Sequence, residues 1–196
     1  MRKGEKTKES SIQAVAPLFN QKGFAGTSLA DIMEATGLQK GGIYNHFRSK
    51  DDLAIQAFDY SLTLMKERLD QALESKETAT DRLVAIAGVF ADHILNPILP
   101  GGCPLLNTAV ESDDTHPALL SRAQDGFERW HILVRGTIRK GMSRGEFRAD
   151  IDPDEFATSF IALLEGGIIL SRVYGDRLYI DRTMRSIHQL VYGLNL

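Results

Sequence analysis

The chain has 196 residues, 43% of them hydrophobic and 25% charged, with a net charge of -3 and one cysteine, Cys103. That length and apolar content allow a buried core in one domain or two, as in an ordinary soluble protein. One cysteine excludes an intramolecular disulfide and a cysteine-cluster zinc site, while the polar start MRKGEKTKESS and the lack of an unbroken apolar run near about 18 residues point to a cytoplasmic protein with no membrane contact.

Charge is unevenly spread. Residues 1–50 hold eight Lys/Arg against four Asp/Glu, whereas the remainder holds fifteen against twenty-two. A small basic module on an acidic body suits a phosphate-bearing partner, with ordinary solvated surface charge as the alternative. In chain order, Ile12, Val15, Ala16 and Phe19 share one face of a first helix that should stop at Gly23, with an irregularity expected at Pro17. Ser28 and Asp31 are spaced as a capping box for a second helix that buries Leu29, Ile32 and Met33 and ends at Gly37. Between Leu38 and the next capping pair, Ser49 and Asp52, there is room for only about two helical turns. On this short helix Ile43 and Phe47 form the buried stripe, leaving Gln39, Lys40, Gly41, Gly42, Tyr44, Asn45 and His46 around the rest. Two helices joined by a tight glycine turn read as a helix-turn-helix. Each glycine in a helix costs roughly 1 kcal/mol against alanine. Close approach of backbone to a major-groove wall, with Lys40 and Tyr44 on phosphate oxygens, offsets that cost. The competing reading makes Gly41-Gly42 a loop and Tyr44 a core aromatic.

The run GFAGTSLADIMEATGLQKGGIYNHFRSKDDL, Gly23 to Leu53, resembles the DNA-binding domain of the tetracycline-repressor (TetR) family of bacterial transcriptional regulators, with G-F, T-S, D-I, G-L, K-G, Y-x-H-F and S-K at the family's spacings. The resemblance implies that Thr27, with Ser28 beside it, Lys40, Tyr44, His46 and Lys50 lie toward phosphates. It places Gln39, Gly41, Gly42 and Asn45 where base edges are read. Two positions depart from the pattern. Gln39 stands in place of the usual serine or threonine, giving up a good cap for an amide able to read adenine. Met33 stands where a small residue usually packs. For His46 a structural role, bonded to backbone, competes with base reading.

Beyond Lys50 the sequence continues to read as helix: to about Ala72, from Arg82 to Leu95, from Cys103-Pro104, from Pro117 to Ser143, from Pro153 to Tyr174 and from Asp181 to Leu194. Met184, Ile187, Val191 and Leu194 form one apolar stripe, and Gly166-Gly167 sits amid apolar residues of the preceding helix. These six residues are the expected dimer interface, the four-helix arrangement that the resemblance implies, with relief of crowding inside one subunit as the alternative for the glycines. Phe90, His93, Ile94, Cys103, Leu106, Asn107, Trp130, Phe160 and Leu164, apolar residues with scattered polar handles, are the expected ligand pocket. Cys103, at a helix N-terminus, is either a small packed residue or a reactive thiol. The histidines lack metal-ligand spacing, so neither metal nor cofactor is expected.

The expected fold is all-α with about nine helices: a three-helix helix-turn-helix domain in residues 1–50, then a helical ligand-binding and dimerisation domain in 51–196. The expected function is that of a homodimeric repressor, released from palindromic double-stranded DNA by a small-molecule inducer. The rival is a helical small-molecule-binding protein or enzyme whose basic head mediates protein contacts. It is disfavoured because no compact nucleophile-base constellation appears.

Overall fold

The computed structural model describes residues 3–195. Among them run nine helices: α1 (Lys3–Gly26), α2 (Leu29–Thr36), α3 (Lys40–Tyr44), α4 (Lys50–Leu73), α5 (Ala79–Asp92), α6 (Pro104–Ser112), α7 (Pro117–Ser143), α8 (Pro153–Tyr174) and α9 (Leu178–Tyr192). Local chemistry sets several of their ends. Ser28 caps α2, Asp152 accepts the amides of Asp154 and Glu155 ahead of Pro153, and Gly37 and Gly175 close α2 and α8 in the left-handed conformation. Helix α1 is irregular at Gly23 (φ 76°, ψ 172°) and not at Pro17, where the dihedrals remain helical. Proline's fixed φ already matches a helix, so the helical dihedrals carry through it despite the lost hydrogen bond. Helix α5 starts ahead of the expected Arg82, because Thr78 in the preceding polar run accepts the Asp81 amide.

The chain forms two compact units, and a single cut at residue 50 does not separate them. One contains the residues up to Met65 together with Ile98–Gln124; the other contains Lys66–Pro97 and the residues from Asp125 onward. The core of the first unit joins Val15 and Ala16 of α1, Ile32 of α2, Ile43 of α3, Phe47 from the turn after α3, Leu53 and Ala57 of α4, and Leu99 from the loop before α6. Met33 packs partly buried at its edge, where an unbranched thioether can adapt to the space.

In the second unit α5, α8 and α9 pack on one another. Phe90 meets Trp130 edge to face with ring centres 4.3 Å apart. A Cβ at Gly167 would lie 2.6 Å from Thr183 Oγ1, so this glycine permits the close crossing of α8 and α9 within one chain. That packing corrects the expected dimer interface. Ile187, Val191 and Leu194 are core residues, at 0%, 0% and 4% exposure, and Met184 is half-buried beside them. Gly167 also belongs to the interior, whereas a Cβ at Gly166 would meet nothing. The periodic stripe on α9 was legible; which partner covers it was not. Helix α8 is long and apolar enough to cross a bilayer, with a mean hydropathy of 1.5, although Glu165 interrupts its apolar run and half of the window is buried.

Candidate nucleic-acid interface

The α2–α3 pair is built on a reciprocal cap. Ser28 Oγ accepts the Asp31 amide at 3.1 Å, and Asp31 Oδ2 accepts the Ser28 amide at 2.7 Å. Lys22 Nζ pairs with Asp31 Oδ1 at 2.7 Å. The lysine contact, then the bonds from Ser28, hold the Asp31 carboxyl far below the ordinary aspartate range. Gly37 (φ 68°) turns the chain toward α3, and the Leu38 amide is taken by Thr36 Oγ1 at 3.3 Å. Gln39 starts α3 with extended dihedrals and no side-chain cap, as its amide in place of a hydroxyl implied. Past α3, Ser49 Oγ accepts the Asp52 amide, while Asp52 Oδ2 reaches one residue further back, to the Arg48 amide at 2.9 Å. That backbone bond is the largest cause of the lowered Asp52 pKa.

Ile43 and Phe47, each 2% exposed, anchor α3. Gln39, Lys40, Gly41, Tyr44 and Asn45 therefore lie at the surface, with Gly42 and His46 half-buried. Tyr44 at 42% exposure is not a core aromatic. A Cβ at Gly41 would meet no atom within 4 Å, and one at Gly42 would make only ordinary contact with Leu38, 3.5 Å away. The interior therefore requires neither glycine. What they create is a stretch of helix backbone, on the outer face, that lacks side chains and is flanked by an ammonium, a phenol and two amides. Such a surface can bring main chain against a groove wall and place donors on phosphate oxygens and base edges. His46 lies beside the start of α1, since a Cβ at Gly4 would stand 3.9 Å from its Cε1.

Two expected phosphate contacts are otherwise engaged. Thr27 is fully buried, with its Oγ1 donating to the Gly23 carbonyl at 2.6 Å. Lys50 Nζ donates to the Phe24 carbonyl and stands 4.3 Å above the Phe24 ring. Both side chains fasten the elbow between α1 and α2, so each has an intramolecular role. Ser28 is exposed, but its hydroxyl serves the cap. Sequence reasoning missed Glu111, whose carboxylate accepts the amides of Phe24 and Ala25 in the same elbow. No local signal marks it, because its partners are 86 and 87 residues away.

The expected ligand pocket divides between the two units. Phe90, Trp130, Phe160 and Leu164 converge in the second unit around a cavity of ≈ 10 Å³, room for no more than a single water. His93 and Ile94, at the end of α5, do not line that cavity; His93 is 2% exposed and Ile94 half-buried. Cys103, Leu106 and Asn107 belong to the first unit. There Cys103 is the buried residue preceding α6, and Asn107 Nδ2 donates to Asn20 Oδ1 and Gly101 O at 3.0 and 2.7 Å. These three residues do not line the cavity around Phe90 and Trp130, and Asn107 ties α6 to Asn20 of α1. Among the described residues no group of three His, Cys, Asp or Glu is placed to hold a metal.

Comparison with known proteins agrees with this architecture. Residues 12–57 match the model of bacterial regulatory proteins of the tetR family, and residues 79–187 match that of the tetracyclin repressor-like C-terminal domain. A TetR transcriptional regulator from Chloroflexus aurantiacus is 39% identical, with a TM-score of 0.96 over 100% of this chain and 98% of that one. One from Cytophaga hutchinsonii is 38% identical, with a TM-score of 0.93 over the same shares. The HTH-type transcriptional repressor DhaR of Mycobacterium sp. (strain GP1) is 24% identical over 178 residues, 91% of this chain and 88% of DhaR. Because the C-terminal model alone spans more than half of the sequence, and the N-terminal model covers the surface just described, the chain belongs to the TetR family of bacterial transcriptional regulators.

Proposed function

We propose that the protein is a homodimeric, ligand-responsive repressor that acts in the cytoplasm and places α3 of each subunit in the major groove of a palindromic operator. The observation that carries this reading is the side-chain-free patch at Gly41 and Gly42 beside exposed Lys40 and Tyr44, which the protein's own packing does not require. In this reading the first fifty residues read DNA and the rest regulates. Gln39 and Asn45 read base edges, and Lys40 and Tyr44 hold phosphates. The repressor role is supported by the relative DhaR, whose name describes a transcriptional repressor.

The dimer face we assign is the outer stripe of α8: Leu163, Gly166, Leu170 and Val173, at i, i+3, i+7 and i+10, with Tyr174 beside them. Val173 and Tyr174 are 70% and 62% exposed, a run of apolar surface that an isolated subunit would leave in water. Twofold symmetry would then present two α3 helices to two half-sites. An inducer that prefers a subunit geometry with misplaced heads lowers operator affinity through a coupling of about 1–3 kcal/mol.

The test is selection of duplexes from a random pool, followed by gel shift of the selected sequence with wild type and Lys40→Ala. Wild type should bind with strong salt dependence, and the variant should lower the slope of log K against log salt by about one unit per lysine removed. Indifference of the wild-type protein to every duplex at low ionic strength ends the proposal.

A further inference from the structure

The elbow between α1 and α2 is held by three side chains. On its carbonyl side, Thr27 Oγ1 and Lys50 Nζ donate to Gly23 O and Phe24 O. On its amide side stands Glu111 of α6. Its Oε2 accepts Phe24 N–H at 2.8 Å and its Oε1 accepts Ala25 N–H at 2.9 Å, one carboxylate oxygen for each amide. Gly23 fits this arrangement twice over. Its φ of 76° favours glycine, and a Cβ there would stand 2.5 Å from Glu111 Oε1. Helix α6 is itself seated on α1 by a second polar cluster. Asn107 Nδ2 donates to both oxygens of Asn20, and Asn20 Nδ2 donates to Pro100 O and Gly102 O, each at 2.9 Å.

We propose that Glu111 is a positioning residue for DNA binding: by clamping the Phe24 and Ala25 amides it fixes the direction in which α2, and with it α3, leaves α1. The proposal rests on the reading of α3 as the DNA-reading helix. Two charge-assisted bonds to adjacent amides of a single elbow restrain an angle as well as a distance. The Ser28 cap begins only three residues beyond Ala25, so rotation at the elbow carries the whole α2–α3 pair. Gly23, Thr27 and Lys50 lie within the segment that carries the helix-turn-helix, whereas Glu111 comes from Ile98–Gln124, the stretch that completes the first unit from the middle of the chain. The N-terminal segment alone therefore lacks one of the groups that set its geometry.

The experiment uses the full-length protein and a duplex selected by the wild type. The dissociation constants of wild type, Glu111→Ala and Glu111→Gln are measured at one salt concentration and well below the melting temperature. Helix content by circular dichroism and amide exchange at Phe24 and Ala25 are measured alongside. Glu111→Ala should bind about 10- to 100-fold more weakly, with helix content unchanged and with faster exchange at those two amides while the Ile32 amide stays protected. Glu111→Gln retains one acceptor oxygen and should fall between the two, and it supplies the same comparison where the alanine variant does not fold. A residue that only adds stability would lower the melting temperature and leave the affinity of the folded protein unaltered. Wild-type affinity in Glu111→Ala, or unchanged exchange at Phe24 and Ala25, overturns the proposal. A wild type that selects no duplex overturns the reading of α3 instead, and the exchange comparison still decides whether Glu111 holds the elbow.

Discussion

Gly41 separates what the protein requires from what its partner requires. A methyl group there meets nothing, and alanine is favoured over glycine within a helix by roughly 1 kcal/mol. Gly41→Ala should therefore leave the melting temperature unchanged or raise it while weakening operator binding. If thermal melts and gel shifts show unaltered affinity, close backbone approach at that position is ruled out. The exposure of Tyr44 and Lys40 was legible because Ile43 and Phe47, four residues apart, define the buried side of α3. The roles of Thr27 and Lys50 were not. Their partners are carbonyls of an elbow whose shape depends on Gly23 and Glu111, and side-chain spacing carries no record of which carbonyl a hydroxyl or ammonium will meet.

Capping chemistry accounts for much of what the sequence discloses about the helices. The Ser28–Asp31 box, Pro153 behind Asp152, and the left-handed Gly37 are each decided within four residues, so they can be recognised without tertiary information. The Asp31 cap has a pH signature. Its folded pKa is depressed below the ordinary 3.8 by the Lys22 contact and the Ser28 bonds, so its stabilising effect is complete above that value and is lost as pH falls toward the folded pKa. Asp31→Asn should accordingly melt at a lower temperature than wild type at pH 7, and the gap should narrow steadily below about pH 4. Equal melting temperatures at pH 7 would remove the cap from the account of α2. Helix α9 shows where local rules stop. Its Ile187 and Val191 stripe reveals that one face is buried, but the neighbour, here α5 and α8 of the same chain, follows from the packing of the whole unit.

At the scale of the molecule, that distinction yields opposite expectations for neighbouring helices. Ile187→Ala opens a cavity in a fully buried site and should destabilise the fold by about 2–5 kcal/mol in denaturant titration. Leu170→Glu, on a side chain 44% exposed, should change the fold little and convert dimer to monomer by light scattering, with operator binding lost in parallel. A dimeric Leu170→Glu variant would move the interface off that stripe. The all-helical class was evident from periodicity, whereas the division into units was not, because Ile98–Gln124 joins residues far behind it in sequence through Asn20, Glu111 and Leu99. This discontinuity bears on biosynthesis. The ribosome delivers the helix-turn-helix first, at roughly 5–20 residues per second, yet the amide clamp and the last core residue of that unit emerge only after the segment through Pro97 has been made. A newly made chain thus spends seconds with α2 and α3 present but incompletely braced, and a transcript truncated before codon 111 would encode a head without the Glu111 carboxylate that accepts the elbow amides.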